Sequence, residues 1–234
     1  MNLEELKNSA KTMKHLVLIT LLAICSNSFS QVSIEEKHRY LASLFYQGQE
    51  AIEKGDYSKA FSFFTKAYSE GDSINSPLEL GDMSFDGNGC PKNLVKAFSW
   101  WEIAAKNGNA SAMCRIAGGY FEGDCCQKDL PKALYWYKKA GDNGDFFGYG
   151  RYASMLLNGE GCEVNTDEAT RYFKLAADNG DDYSQYVVGL MYYYGDYGFA
   201  KNNFLALSYL KKSAAQGYIR AAAAIVDLNL ENKK

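Results

Sequence analysis

The residues best equipped for chemistry in this 234-residue chain are its cysteines. Cys90, Cys126 and Cys162 recur at intervals of 36 residues, Cys125 sits beside the middle one, and Cys114 and Cys25 lie elsewhere. Thiols can bind metal, act as nucleophiles, cross-link, or fill space as small hydrophobes. A zinc site is not expected, because His15 and His38 are the only histidines and the ligands would have to be gathered from separate stretches of chain. A Cys-His or Ser-His dyad would depend on His38 alone once an N-terminal signal was removed. One further pair has a catalytic spacing: Ser208-Tyr209-Leu210-Lys211 puts a hydroxyl and an amine one helical turn apart. The Ser-Asp-Asn and Lys-Thr-Gly elements that accompany Ser-x-x-Lys in acyl-transfer enzymes are absent. No catalytic residue, metal or cofactor is therefore expected.

The elements that must position these residues repeat. Gly87, Gly123, Gly159 and Gly195 are each 36 apart, and Ala97, Ala133, Ala169 and Ala206 follow at intervals of 36, 36 and 37. Self-similarity at a period of about 20–50 residues marks a solenoid, in which each unit stacks on its neighbours. Within a unit, Ala97, Trp100, Trp101 and Ala104 fall at i, i+3, i+4 and i+7, and Ala133, Trp136, Tyr137 and Ala140 repeat them, as a core-facing helix requires. These aromatics read as core, not as a carbohydrate platform. Asn93, Asp129, Asn165 and Asn202 stand where that helix should be N-capped, in register with Asp56, and Gly108, Gly144, Gly180 and Gly217 stand where it should end. Ser76-Pro77 reads as an N-cap followed by the first helical residue of another unit.

A hydrophobic content of 47% can build a substantial core. A net charge of -3, with no cluster of Lys and Arg, excludes nucleic acid as the natural partner. Residues 1–30 differ from the rest: Lys11 and Lys14 precede the apolar run Leu16 to Ile24, which leads into the small, polar segment Cys25 to Ser30. The run is shorter than the roughly 20 residues that span a bilayer. It reads as a secretory signal cleaved after Ser30, with Met13 as an alternative start, and places the mature chain in the periplasm or outside the cell. A rival reading makes Cys25 the lipidated N-terminus of an envelope lipoprotein, although Ile24 before it is not small.

The pattern small-x-x-Tyr-x-x-Gly-x-Gly, then Lys-Ala, then Trp-Tyr-x-Lys-Ala, on this period over residues 75–217, resembles the Sel1-like repeat, a relative of the tetratricopeptide repeat. The stretch 31–72 resembles a tetratricopeptide-like helix pair through Gly48, Ala51, Tyr57, Ala60, Phe64 and Ala67. The expected fold class is all-α: an α-solenoid of antiparallel helix pairs, with a tetratricopeptide-like unit at 31–72, four Sel1-like repeats at 73–217 and a capping helix and tail at 218–234. The resemblance implies a right-handed superhelix that scaffolds interactions with a protein or peptide. By analogy the first helices line its concave face, which makes Asp86, Glu122, Asn158 and Tyr194, with Asp82 one turn earlier, the candidate partner-binding residues. Ser84 and Leu156 replace the usual Tyr, Cys125 replaces the second loop Gly, and the last unit carries one extra residue at Gly195 to Phe199. A link of the resembled family to β-lactams makes a β-lactamase-type hydrolase the alternative function, resting on Ser208 and Lys211 alone.

Export would permit disulfides. Equivalent positions of adjacent units should lie on the order of 10 Å apart, beyond the roughly 7 Å between Cα atoms that a disulfide spans. Cys125, offset by one residue, is therefore the expected partner of Cys90 or Cys162, while Cys114 stays a buried thiol. The export reading makes a direct prediction: intact-mass measurement of exported protein gives a chain beginning at Gln31, and retention of residues 1–30 or a lipid on Cys25 would refute it.

Overall fold

The computed structural model describes residues 33–230, so the expected signal, its cleavage site and Cys25 lie outside the described residues. Eleven helices and no strand are found among them: α1 (33–53), α2 (Tyr57–Ser69), α3 (Asn75–Asp86), α4 (Leu94–Lys106), α5 (Ala110–Glu122), α6 (Leu130–Asp142), α7 (Phe146–Asn158), α8 (Thr166–Asp178), α9 (Asp182–Tyr194), α10 (Asn203–Ala215) and α11 (Ile219–Asp227). Each helix packs chiefly on its neighbours in sequence, and the tightest partners are α3 with α4, α5 with α6, α7 with α8 and α9 with α10. The structure is thus the all-α stack of helix pairs expected.

Local chemistry sets the helix ends. Asp56, Asn93, Asp129, Asn165 and Asn202 each accept a hydrogen bond from the backbone N–H three residues on, at 2.9–3.1 Å, and so start α2, α4, α6, α8 and α10. Such caps contribute about 1 kcal/mol each. At the other end the side-chain amides of Asn107, Asn143 and Asn179 donate to the carbonyls of Ile103, Lys139 and Leu175, all at 2.8 Å. The start of α3 departs from expectation. Ser76 is not its cap but a buried residue of its first turn; Asp72 does the capping, accepting from the N–H groups of Ile74, Asn75 and Ser76 and from the Ser76 hydroxyl. A carboxylate with two oxygens can serve more orphan donors than one hydroxyl, which is why it wins the position.

The core runs along the stack and is set by small residues. Ala97, Ala133, Ala169 and Ala206 are completely buried, and four residues after each comes a buried bulky one, Trp101, Tyr137, Phe173 or Leu210. The facing first helices answer with Gly81, Ala117, Ala153 and Gly189, all buried. Closeness here is literal: a Cβ built on Gly189 would lie 2.8 Å from Leu210 Cγ and 3.2 Å from the Ala206 carbonyl oxygen. At the C-terminal end α11 and Leu230 close over Leu210, but Ile219 and Val226 on α11 stay 83% and 77% exposed.

Unit 2, α5 with α6, breaks the pattern at two linked points. Met83, Met155 and Met191 are buried at one register position, where α5 has Gly119. The space is taken by Phe98, whose ring edge would lie 3.0 Å from a Gly119 Cβ, and by Cys125, whose own Cβ would lie 3.6 Å away. One unit on, the corresponding pair is Leu134 and Met155. Gly119→Met should therefore overpack this layer and cost about 1–3 kcal/mol, and Phe98→Leu in the same chain should recover part of it. Urea denaturation of the two single variants and the double tests this; strictly additive losses would show that the two positions do not share the space.

Candidate partner-binding groove

The register that aligns the core also aligns a partly exposed stripe. Glu79, Asp82 and Asp86 on α3 are followed at intervals of 36 by Arg115, Gly118 and Glu122 on α5, Arg151, Ser154 and Asn158 on α7, and Val187, Leu190 and Tyr194 on α9. Within each helix these residues fall at i, i+3 and i+7, so they share one face. All but Glu79, which accepts a hydrogen bond from Gln49 at 2.9 Å, line three recesses in succession. The first, about 370 Å³, is walled by Asp82, Asp86, Arg115 and Glu122 over a floor that includes Trp101, Tyr137 and Phe147. The second, about 210 Å³, holds Arg151, Ser154, Asn158 and Glu160. The third, about 300 Å³, is formed by Asn158, Tyr194, Tyr197 and the apolar side chains of Leu157, Phe173, Val187 and Leu190. Tyr137 is common to the first two, and Ser154 and Asn158 to the last two, so the recesses form one run.

All five residues singled out in the sequence are in this run: Asp82, Asp86 and Glu122 in its first recess, Asn158 and Tyr194 in its third. Two features were not legible in their identities. The first recess is less acidic than expected, because Asp82 is already engaged. Arg115 donates to it through Nε and Nη2, both at 3.0 Å, and Trp101 Nε1 donates at 2.8 Å. The Arg115 pair is half exposed and contributes little stability, about 0.2–1 kcal/mol, so its effect is to hold both side chains in place. The acids without such a pairing in this recess are Asp86, Glu122 and Asp124. The second missed feature is the pair of arginines, Arg115 and Arg151, which lie seven residues before Glu122 and Asn158 on the same helix face. The signal that would have found them is the 36-residue spacing itself, applied one and two turns upstream.

The third recess has an unusual rim. Tyr197 adopts φ of 54°, the left-handed region that a residue with a Cβ enters at a cost of about 1–2 kcal/mol. The extra residue of the last unit lies in this loop, and Tyr194 and Tyr197 remain 56% and 50% exposed beside the apolar lining.

The cysteines depart from the expected pairing. Cys90, Cys114, Cys125, Cys126 and Cys162 are all free thiols, and the bridge from Cys125 to Cys90 or Cys162 is not formed. Cys90 Sγ faces the Met83 carbonyl at 3.6 Å and Cys162 Sγ the Met155 carbonyl at 4.0 Å, each turned onto the first helix of its own unit. Cys125 holds the position of Gly89 and Gly161, which have φ of 71° and 79°. A Cβ on Gly89 would lie 2.2 Å from the Tyr57 carbonyl oxygen, and one on Gly161 2.6 Å from the Leu130 carbonyl carbon. Cysteine cannot sit there in that way, so the loop turns its side chain inward, where it is 6% exposed and packs near Gly119. Burial, with Asp124 beside it, pushes the Cys125 thiol up to about 12, and burial together with Asp145 raises Cys114 further.

Neither half-buried Ser208 nor Lys211, both in the middle of α10, lines these recesses. His38 lies exposed on α1, and no group of metal-ligating side chains occurs among the described residues. No helix among them is long and apolar enough to cross a membrane.

A stack of helix pairs whose first helices line one continuous groove is an α-solenoid repeat protein. The Sel1 repeat model matches residues 38–72, 78–109, 110–145, 147–181 and 182–218, and the chain belongs to this family. The match at 38–72 covers the pair that reads as tetratricopeptide-like, so the same family model describes five successive units. Among solved structures, a Sel1 repeat protein from Oxalobacter formigenes is similar at 24% identity, covering 77% of this chain and 75% of its own, with a TM-score of 0.73. A protective antigen present in uropathogenic Escherichia coli strains, with an SLR fold, is similar at 26% identity over 79% of this chain and 40% of its own, with a TM-score of 0.68. A comparison with curated proteins gives no match. Sel1 repeats generally mediate protein–protein interaction.

The thiol environments yield a prediction. Only thiolate reacts with alkylating reagents, so at mildly alkaline pH the buried Cys114 and Cys125 should remain unlabelled in the folded protein and become labelled only when it is unfolded. Mass spectrometry of labelled peptides checks it; rapid labelling of Cys125 without unfolding would contradict the inward-turned loop.

Proposed function

We propose that this protein is an exported scaffold that binds an extended segment of a protein partner along the groove of its first helices and carries out no reaction itself. The observation that carries this reading is the change of character along one register-aligned stripe, from Asp86 and Glu122, through Arg151, Ser154 and Asn158, to Val187, Leu190 and Tyr194. Such a surface suits a segment with a basic portion and an apolar anchor. Charge at the first recess orients the approaching segment, and the aromatic recess supplies more of the affinity, since buried aromatic contacts dominate binding energy while rim charges act on association rate. The basic, apolar and small-residue order of residues 1–30 supports export, and a lipid on Cys25 would instead anchor the same scaffold to the envelope.

A pull-down from envelope extract with residues 31–234 as bait supplies the partner. Against it, Tyr194→Ala should weaken binding by roughly 1 kcal/mol or more, and Tyr197→Gly should weaken binding without lowering the melting temperature, because it removes backbone strain. Asp86→Lys combined with Glu122→Lys should chiefly slow association. Unchanged affinity and association rate in all of these variants, each folded by circular dichroism, would rule the groove out as the binding surface.

A further inference from the structure

Arg115 and Arg151 occupy the same position in successive units, 36 residues apart, yet their charges are handled differently. Arg115 reaches back to the preceding unit and pairs with Asp82 through two nitrogens. One unit on, the residue in the place of Asp82 is Gly118, which has no side chain to offer. Arg151 accordingly forms no salt bridge among the described residues. Its guanidinium lies near the rings of Phe121, Tyr137 and Phe147, with centroid distances of 5.8, 5.9 and 5.9 Å, and the Tyr137 hydroxyl is the neutral polar group beside it.

Aromatic rings hold a guanidinium in position and are attracted to its charge, but they accept few of its N–H donors and cancel none of the charge. The result is a cation fixed in the groove before any ligand arrives, so little side-chain entropy is lost when it is used. A planar guanidinium in this state suits one ligand group above others, a carboxylate that can accept two parallel hydrogen bonds. Ser154 and Asn158, on the next turns of the same helix face, add neutral hydrogen-bonding groups to the recess. Glu160 is the one carboxylate that lines it, and its charge disfavours a doubly charged group such as phosphate more than a singly charged one.

Resting on the groove-binding reading, we propose that Arg151 is a carboxylate-recognition residue: the bound segment carries an acidic group that meets Arg151 between an apolar side chain in the Tyr194 recess and a basic portion near Glu122. The carboxylate comes either from an Asp or Glu side chain or from the C-terminus of the bound chain.

A random peptide library selected on residues 31–234 tests this, prepared in two forms that end in a free carboxylate or an amide. Selected sequences should combine an aromatic or aliphatic residue with an acidic group. Enrichment of Asp or Glu in both forms identifies a side chain, and enrichment only in the free-acid form identifies a C-terminus. For a peptide so selected, Arg151→Gln should lower affinity by roughly tenfold or more, the loss of a hydrogen bond between charged groups. Arg151→Lys should recover part of the loss, and Glu160→Gln should tighten binding. Replacing the peptide's acidic group by its amide should abolish the difference between wild type and Arg151→Gln. Selected peptides with no acidic preference, bound equally by Arg151→Gln, would overturn the role of Arg151 while leaving the groove reading intact. Failure to select any peptide on folded protein would overturn both.

Discussion

The close approach of paired helices at small residues is the constraint on which the rest of the structure depends. Ala97, Ala133, Ala169 and Ala206 are wholly buried, and opposite them stand Gly81, Ala117, Ala153 and Gly189. A larger side chain at these crossings has nowhere to go in an interior packed as densely as an organic crystal. Holding the crossings at one register position per unit fixes the rotation of every helix about its axis. The bulky residues one turn on, Trp101, Tyr137, Phe173 and Leu210, then all point into the core. The opposite consequence matters for function: the residues at i, i+3 and i+7 of the first helices are all turned toward a single groove. A shift of one residue in any unit would carry its groove residues about 100° around the helix.

Because each unit leans mainly on its neighbours, the groove stripe is free to vary in chemistry while the crossings are not. Unit 2 shows how much variation the core itself accepts when two changes compensate. Gly119 removes a buried methionine, and Phe98 from the unit before and Cys125 from the loop after fill the place. A side chain cannot take the loop conformation of Gly89 and Gly161, so Cys125 turns inward, and Gly119 leaves the space that receives it. The expectation of a bridge rested on the one-residue offset of Cys125 from the register of Cys90 and Cys162, and all three are free thiols.

What could be read from the sequence was whatever recurs. The 36-residue period, the cap residues at Asp56, Asn93, Asp129, Asn165 and Asn202 and the turn glycines give helix order and ends, since each is a local requirement with a small choice of residue types. Asp86, Glu122, Asn158 and Tyr194 were found by the same means. What could not be read was pairing between units. Nothing in the identity of Asp82 says that Arg115, 33 residues away, will take both its oxygens, or that Asp72 will displace Ser76 as the cap of α3. Both outcomes depend on which donors and acceptors the fold brings within hydrogen-bonding reach, and a repeat pattern carries no such distances.

The ends of the groove differ in what they demand of an occupant. Asp86 and Glu122 are solvated carboxylates, stable with or without a ligand, so the first recess tolerates being empty. The third recess does not share that neutrality. Val187, Leu190 and Leu157 meet at its lining, and the rings of Tyr194 and Tyr197 stand half out of it, one of them on a backbone conformation that costs energy to hold. Apolar surface presented this way gains free energy when it is covered, at about 25 cal/mol per Å². The free energy available to a ligand is therefore concentrated at α9. Between the two ends stands Arg151, where a wrong neighbour leaves a desolvated, unpaired charge, which is the costlier error in binding. On the proposed reading, the aromatic end would set how tightly a segment is held, and the arginine which segments are admitted.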